Sequence, residues 1–261
     1  MKILLNRFFI KLAFNGKNYH GWQMQDNALT IQSVINDTLS KLLEEEINVT
    51  GCGRTDTGVH AKEFYAHFDI NKILNKNDRD NIVFKLNNFL DDSIVIFDII
   101  PVKSGSHARF DAISRTYQYF ISRQKDPFDK DFSYYVYGDI NIDLMNEGAK
   151  ILCEYEDFTS FSKLHSDVKT NNCKILKTKW VEREDKLIFT ITADRFLRNM
   201  VRAIVGTLLD IGKKKISLKD FRKIIESKNR SDAGYSVPAK GLFLTKIEYP
   251  KSAKLEDKRQ K

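Results

Sequence analysis

Along the 261-residue chain the apolar positions recur with two periods, which mark strands and helices in turn. Residues 3–14 are almost continuously apolar and predict a buried first strand, closed by the turn residues Asn15-Gly16-Lys17-Asn18. Ile31, Val34, Ile35, Leu39, Leu42 and Leu43 fall at spacings of three and four. They predict an amphipathic helix with Thr30 as its cap. Ile47-Asn48-Val49-Thr50 alternates and predicts a short half-buried strand. Phe64, Ala66, Phe68 and Ile70 alternate with Tyr65, His67 and Asp69, predicting a second strand with one face inward. A helix over 79–90 and a strand over 93–102 close the first half. The second half opens with a strand over 115–122 carrying Tyr117 and Tyr119, then a helix marked by Ile142, Met145, Ala149 and Leu152. Strands over 174–182 and 186–193 lead into a long helix over 195–211. Ser217 and Asp220 bracket the start of another helix as a capping box, with Leu218, Phe221, Ile224 and Ile225 on its apolar face. A last strand spans 242–249. These elements predict an α+β fold of two mixed α/β domains, 1–105 and 106–250, whose largely antiparallel sheets are flanked by helices. The expected domain limit is Pro101 to Ser106. Residues 251–261 form a charged tail, expected to be disordered.

Composition changes this picture in two ways. Hydrophobic residues make up 42% of the chain, enough to fill real cores and exclude global disorder. The net charge of +8 is unevenly placed: residues 1–105 hold 12 Lys and Arg against 13 Asp and Glu, and the remainder holds 31 against 22. A basic second half suits a polyanionic partner, nucleic acid first, although a solvated lysine surface gives the same count. Cys52, Cys153 and Cys173 are odd in number and lack metal-type or redox-type spacing, as expected of reduced thiols in the cytosol. The apolar start is interrupted by Lys2, Arg7 and Lys11, which argues against a membrane span or a secretory signal.

The candidate chemistry sits in Gly53-Arg54-Thr55-Asp56-Thr57-Gly58-Val59-His60-Ala61. Gly51, Gly53 and Gly58 allow positive φ or a close backbone approach, so a tight loop can hold Asp56 and Arg54 in a cleft. A fixed carboxylate beside a fixed guanidinium can act as nucleophile or base on an anionic substrate. Asp56-Thr57-Gly58 also spells the Asp-Thr-Gly of aspartic proteases. Those sites place apolar residues just before the aspartate, where Arg54 and Thr55 stand here. Arg195, Arg198 and Arg202 are spaced to share one helix face. Arg202 lies among Met200, Val201, Ala203, Ile204 and Val205, so it is expected to be partly buried and to need an anion. Asp56 is the expected partner across a cleft between the two domains. Tyr117, two residues after Arg115, suits stacking on an extruded base or is simply a sheet tyrosine. Trp22 and Gln23 either contact RNA or seal a turn, and His60 is expected to order the loop rather than bind metal.

Six blocks in order resemble the TruA-type tRNA pseudouridine synthases. They are Tyr19-His20-Gly21-Trp22-Gln23, the Asp56 loop, Ser114-Arg115-Thr116-Tyr117, Asp157-Phe158-Thr159-Ser160-Phe161, the run from Phe196 through Gly206, and Ala239-Lys240-Gly241-Leu242-Phe243-Leu244. The similarity runs from about residue 8 to 250. Thr57 stands where the family usually has alanine, and Ser106 where an aromatic is common. The resemblance implies that Asp56 is the catalytic aspartate and Arg202 the basic residue paired with it. It also implies that Arg54 assists extrusion of the target nucleotide and binds its phosphate, that Tyr117 stacks on the uracil, and that Leu242 packs on the base. It further implies a cofactor-free cytoplasmic homodimer acting on uridines at positions 38–40 of the tRNA anticodon arm. Lys213, Lys214, Lys215, Lys219, Arg222 and Lys223 are then candidates for the RNA backbone, or a solvated face.

Overall fold

The computed structural model describes residues 6–163 and 169–250. The tail expected at 251–261 and the first residues of the predicted 3–14 strand lie outside them. Among the described residues the chain is α+β and divides into two compact units, Met1–Ile113 with Thr245–Lys261, and Ser114–Leu244. The domain limit expected at Pro101 to Ser106 precedes that division.

In the first unit, strand β1 (Asn6–Phe14) lies between β3 (His60–Ile70) and β4 (Ile94–Pro101), antiparallel to both, and the short β2 (Thr50–Gly51) pairs with β3. Helix α1 (Ile31–Leu43) buries Ile31, Ile35, Leu39 and Leu43, as the spacing predicts, and Thr30 with Ser33 closes its start as a capping box. Helix α2 (Lys76–Phe89) begins at Asn75, earlier than the pattern predicts, because Asn75 and Asp78 cap each other's backbone N–H. It packs on β4 and α1.

Of the predicted strand at 47–50 only Thr50 is in one, as the start of β2. The alternation is real, since Ile47 and Val49 are buried while Asn48 and Thr50 are exposed. Before Thr50 the backbone groups are taken by side chains of α1 instead of by a ladder. Ile47 N–H donates to Ser40 Oγ (2.8 Å), Val49 N–H to Asn36 Oδ1 (2.9 Å), and Gln32 Nε2 to the Val49 carbonyl (2.8 Å). The predicted strand over Phe64–Ile70 is present in β3, and its second face is covered too. Tyr65 and His67 are buried, because Tyr249 packs edge-on against Tyr65 and His107 against His67.

In the second unit, β8 (Lys186–Ala193) lies between β5 (Ser114–Ser122) and β7 (Ile175–Arg183), antiparallel to both, and β6 (Tyr134–Tyr135) pairs parallel with β5. Helix α3 (Ile142–Ile151) packs on β7, and α4 (Met200–Gly212) and α5 (Leu218–Glu226) pack on α3. The capping box at Ser217 and Asp220 is present. Strand β9 (Leu242–Glu248) starts in this unit and ends in the first.

The outer strands β4 and β7 are each fastened by an asparagine. Asn87 of α2 donates to and accepts from the backbone of Ile96 (2.8 Å each), and Asn146 of α3 does the same at Trp180 (3.2 and 2.9 Å). An amide can pair with one residue's N–H and C=O at once, so it blunts the strand where pairing would otherwise continue.

The helix predicted over 195–211 is shorter than expected. Asn199 adopts φ 67°, in the left-handed region, and α4 starts only at Met200. Arg195 and Arg198 therefore precede the helix, and the three arginines do not share a face. The Asn199 conformation is held by its Nδ2 donating to Ser236 Oγ (2.6 Å).

Candidate functional site

The Asp56 loop is built by glycines and backbone hydrogen bonds. Cys52 N–H donates to the Tyr65 carbonyl (2.8 Å), tying the loop's start to β3. Val59 N–H donates to the Asp56 carbonyl (3.2 Å), closing a four-residue turn whose third residue, Gly58, has φ 76°. That is the sign a type II turn needs at this position. Gly51 serves differently, since a Cβ there would stand 2.4 Å from Trp22 Nε1. Gly53 has open space around its Cα, so of the three glycines that allow such geometry two use their freedom.

The 16–22 stretch is the bed on which the turn lies. Gly58 N–H donates to the Tyr19 carbonyl (3.3 Å) and Trp22 N–H to the Thr55 carbonyl (3.4 Å). Gly21 adopts φ 85°, and a Cβ on it would lie 2.3 Å from the Thr55 carbonyl oxygen. Gly16 meets the Val59 carbonyl as closely and donates its N–H to His60 Nδ1 (3.1 Å), so His60 orders the loop as expected. Trp22 is buried and stacked on Phe64 at 4.2 Å, which makes it a seal for the turn, whereas Gln23 is exposed. The outcome is a turn with Thr55 and Val59 buried, Asp56 half-buried, and Arg54 and Thr57 exposed.

In the second unit, Tyr117 is half-buried on β5 and meets Phe196 edge-to-face at 5.1 Å, which fixes its ring. Arg202 is half-buried on α4 as expected. Its Nε donates to the Val237 carbonyl (2.7 Å), and Val237 N–H donates to the Arg202 carbonyl (3.3 Å). Tyr119 is wholly buried and donates its hydroxyl to the Pro238 carbonyl (2.8 Å). Burial pushes the Tyr119 phenol well above its ordinary range, and the Arg202 charge pulls the other way. Leu242, 6% exposed, opens β9 just after the tight turn Ala239–Gly241. Gly241 is needed there, because a Cβ would lie 2.8 Å from both the Phe120 carbonyl and the Tyr119 ring.

Of the sequence-predicted residues, Arg54 and Asp56 thus share one turn of the first unit, while Tyr117, Arg202 and Leu242 come from three elements of the second. The 234–238 segment was missed: it has no periodicity, and its bonds come from residues distant in sequence. Part of the expected basic face is engaged with its own carboxylates. Arg222 forks onto Glu154 (2.6 and 3.1 Å), Lys223 meets Asp220 (3.3 Å) and Lys215 meets Asp210 (3.5 Å). Cys52 and Cys173 are buried thiols outside any disulfide, with burial pushing Cys173 up to about 12, and Cys153 is exposed. Among the described residues no cluster of His, Cys, Asp or Glu is arranged to hold a metal ion, and no helix is long and apolar enough to cross a membrane.

Residues 152–250 match a family described as tRNA pseudouridine synthase. The chain is 54% identical over 246 residues to tRNA pseudouridine synthase A of Azobacteroides pseudotrichonymphae, an alignment covering 94% of this chain and 98% of that one. It is 48% identical over 249 residues to tRNA pseudouridine synthase A of Parabacteroides distasonis, covering 94% and 97%. The Clostridium acetobutylicum protein of the same name is 41% identical over 242 residues, covering 92% and 98%.

Proposed function

Because the chain belongs to the tRNA pseudouridine synthase family, we propose that it isomerises uridine to pseudouridine in the anticodon stem-loop of tRNA, at positions 38–40. The reaction breaks the N1–C1′ bond, turns the uracil and joins C5 to C1′. The proton on C5 is lost and N1 takes one up, so the product is an isomer and nothing is oxidised or hydrolysed.

The observation that carries this reading is the Asp56 turn. A half-buried carboxylate stands on a backbone that glycines and neighbouring carbonyls hold in one shape. Asp56 is the catalytic carboxylate. Whether it adds to C1′ or removes a proton from C2′, it has to be ionised, and a guanidinium partner favours that form. The family resemblance gives that role to Arg202. Arg54, exposed two residues before Asp56, binds the phosphate of the extruded nucleotide. The base leaves its stack at a cost of a few kcal/mol. Tyr117, its ring fixed by Phe196, stacks on the uracil, and Leu242 supplies the apolar contact. The base is never released, so two such contacts hold it while it turns.

The finer reading is a cytoplasmic homodimer that needs no cofactor. Sedimentation of the purified chain, alone and with tRNA, tests the dimer. Incubation with unmodified tRNA tritiated at uracil C5 tests the activity. Release of tritium to water, with pseudouridine mapped by mass spectrometry to positions 38–40, is the expected result. No release, or product confined to other positions, would contradict it.

A further inference from the structure

The segment 234–238 lies along α4 and is bound at every residue. Gly234 N–H donates to Thr207 Oγ1 (2.9 Å). The Tyr235 carbonyl lies against Gly206, where a Cβ would stand 1.8 Å from it. Ser236 Oγ accepts from Asn199 Nδ2 (2.6 Å) and from an Nη of Arg230 (2.8 Å). Val237 brackets Arg202 through its N–H and C=O, and the Pro238 carbonyl accepts from Tyr119. The Tyr235 hydroxyl lies 3.0 Å from that of Tyr134 on β6. Such a density of bonds on five residues without helix or ladder fixes a shape rather than filling space.

On this segment the Val237 carbonyl accepts from Arg202 Nε. Nε lies in the guanidinium plane, so a bond there sets the rotation of that plane. We infer that 234–238 is a strap that orients the Arg202 guanidinium for uridine isomerisation. Tyr119 holds it at one end through the Pro238 carbonyl, and Tyr235 holds it at the other through Tyr134. Tyr119 and Tyr235 are thus positioning residues that act through Arg202. This inference rests on the role given to Arg202 above.

A double-mutant cycle separates the two. Tyr119→Phe keeps the buried ring and removes only the hydroxyl. It is expected to lower kcat about tenfold, less than the roughly 100-fold that a full ångström of misplacement carries, while KM for tRNA stays close to wild type and the chain still melts as a folded protein. Arg202→Lys is expected to lower kcat by more, and adding Tyr119→Phe to it is expected to cost nothing further, because the strap then has no guanidinium to aim. Tyr134→Phe, which frees only the far end, is expected to show a smaller loss of the same kind. Unchanged kcat in Tyr119→Phe, or losses that multiply in the double variant while Arg202→Lys alone is impaired, would overturn the strap. Normal turnover in Arg202→Lys would instead remove the premise, and with it this inference.

Discussion

In the first unit the Asp56 turn rests on the 16–22 stretch mainly through backbone: carbonyls of Tyr19 and Thr55 accept N–H groups, Gly16 and Gly21 let the chains touch, and His60 Nδ1 adds one side-chain bond. In the second, Arg202 rests on 234–238 through side chains, with bonds from Arg202, Tyr119, Thr207 and Asn199 converging on a segment that has no regular structure. The two supports fail in opposite ways. A backbone contact survives changes of side chain but not the arrival of a Cβ. A side-chain contact survives added bulk elsewhere but not the loss of one hydroxyl or amide. A short glycine-bearing motif can therefore specify the first, whereas the second needs residues drawn from across the chain.

The sharpest way to break the first support is Gly21→Ala. The new Cβ would meet the Thr55 carbonyl at 2.3 Å, at a φ of 85° that alanine tolerates poorly. Displacing the turn by about an ångström is expected to cost about 100-fold in kcat, measured by tritium release. The backbone strain adds about 1–3 kcal/mol of lost stability. Gly206→Ala is the matching change in the second unit, since its Cβ would strike the Tyr235 carbonyl and lift the strap. It is expected to lower kcat by about tenfold and stability by about 1–3 kcal/mol, read by the same assay and by urea unfolding. Asn36→Ala sharpens the comparison by failing to affect catalysis. It strands the buried Val49 N–H, so about 1–3 kcal/mol of stability is lost while kcat is retained.

The last expected effect, silent in catalysis, is a pH dependence confined to the first unit. Burial foremost, with the nearby Arg7 charge, lowers His67 from 6.5 to about 4, and its Nδ1 accepts from Ala108 N–H (3.2 Å). The folded imidazole is therefore neutral where the unfolded one already binds a proton. The stability it contributes is complete above pH 6.5 and is lost as pH falls towards about 4. The melting temperature of wild type is expected to fall more steeply over that window than that of His67→Gln. Equal slopes would show that His67 carries none of the acid sensitivity.

How far the sequence revealed this molecule depended on whether a feature was local. The α1 face, the Thr30 and Ser217 caps and the Gly58 turn depend on neighbours a few residues apart, and their spacing identified them. The 47–50 stretch misled because alternation reports burial, not pairing, and Asn36, Ser40 and Gln32 supplied the bonds a ladder would have made. The start of α4 misled because the apolar run continues back through Phe196 and Leu197, while the helix is stopped by Asn199, whose conformation Ser236 holds from far along the chain. The strap was invisible for the same reason. Its partners are spread along the chain, from Thr207 and Arg202 on α4 back to Tyr119, 119 residues away.

The role of the Asp56 carboxylate is tested most directly by Asp56→Asn, which keeps the size and shape of the side chain on an unaltered turn. Tritium release from C5-labelled tRNA is expected to fall by about 10⁴-fold while tRNA affinity is retained. Release at the wild-type rate from that variant, with tRNA bound as before, would contradict the account.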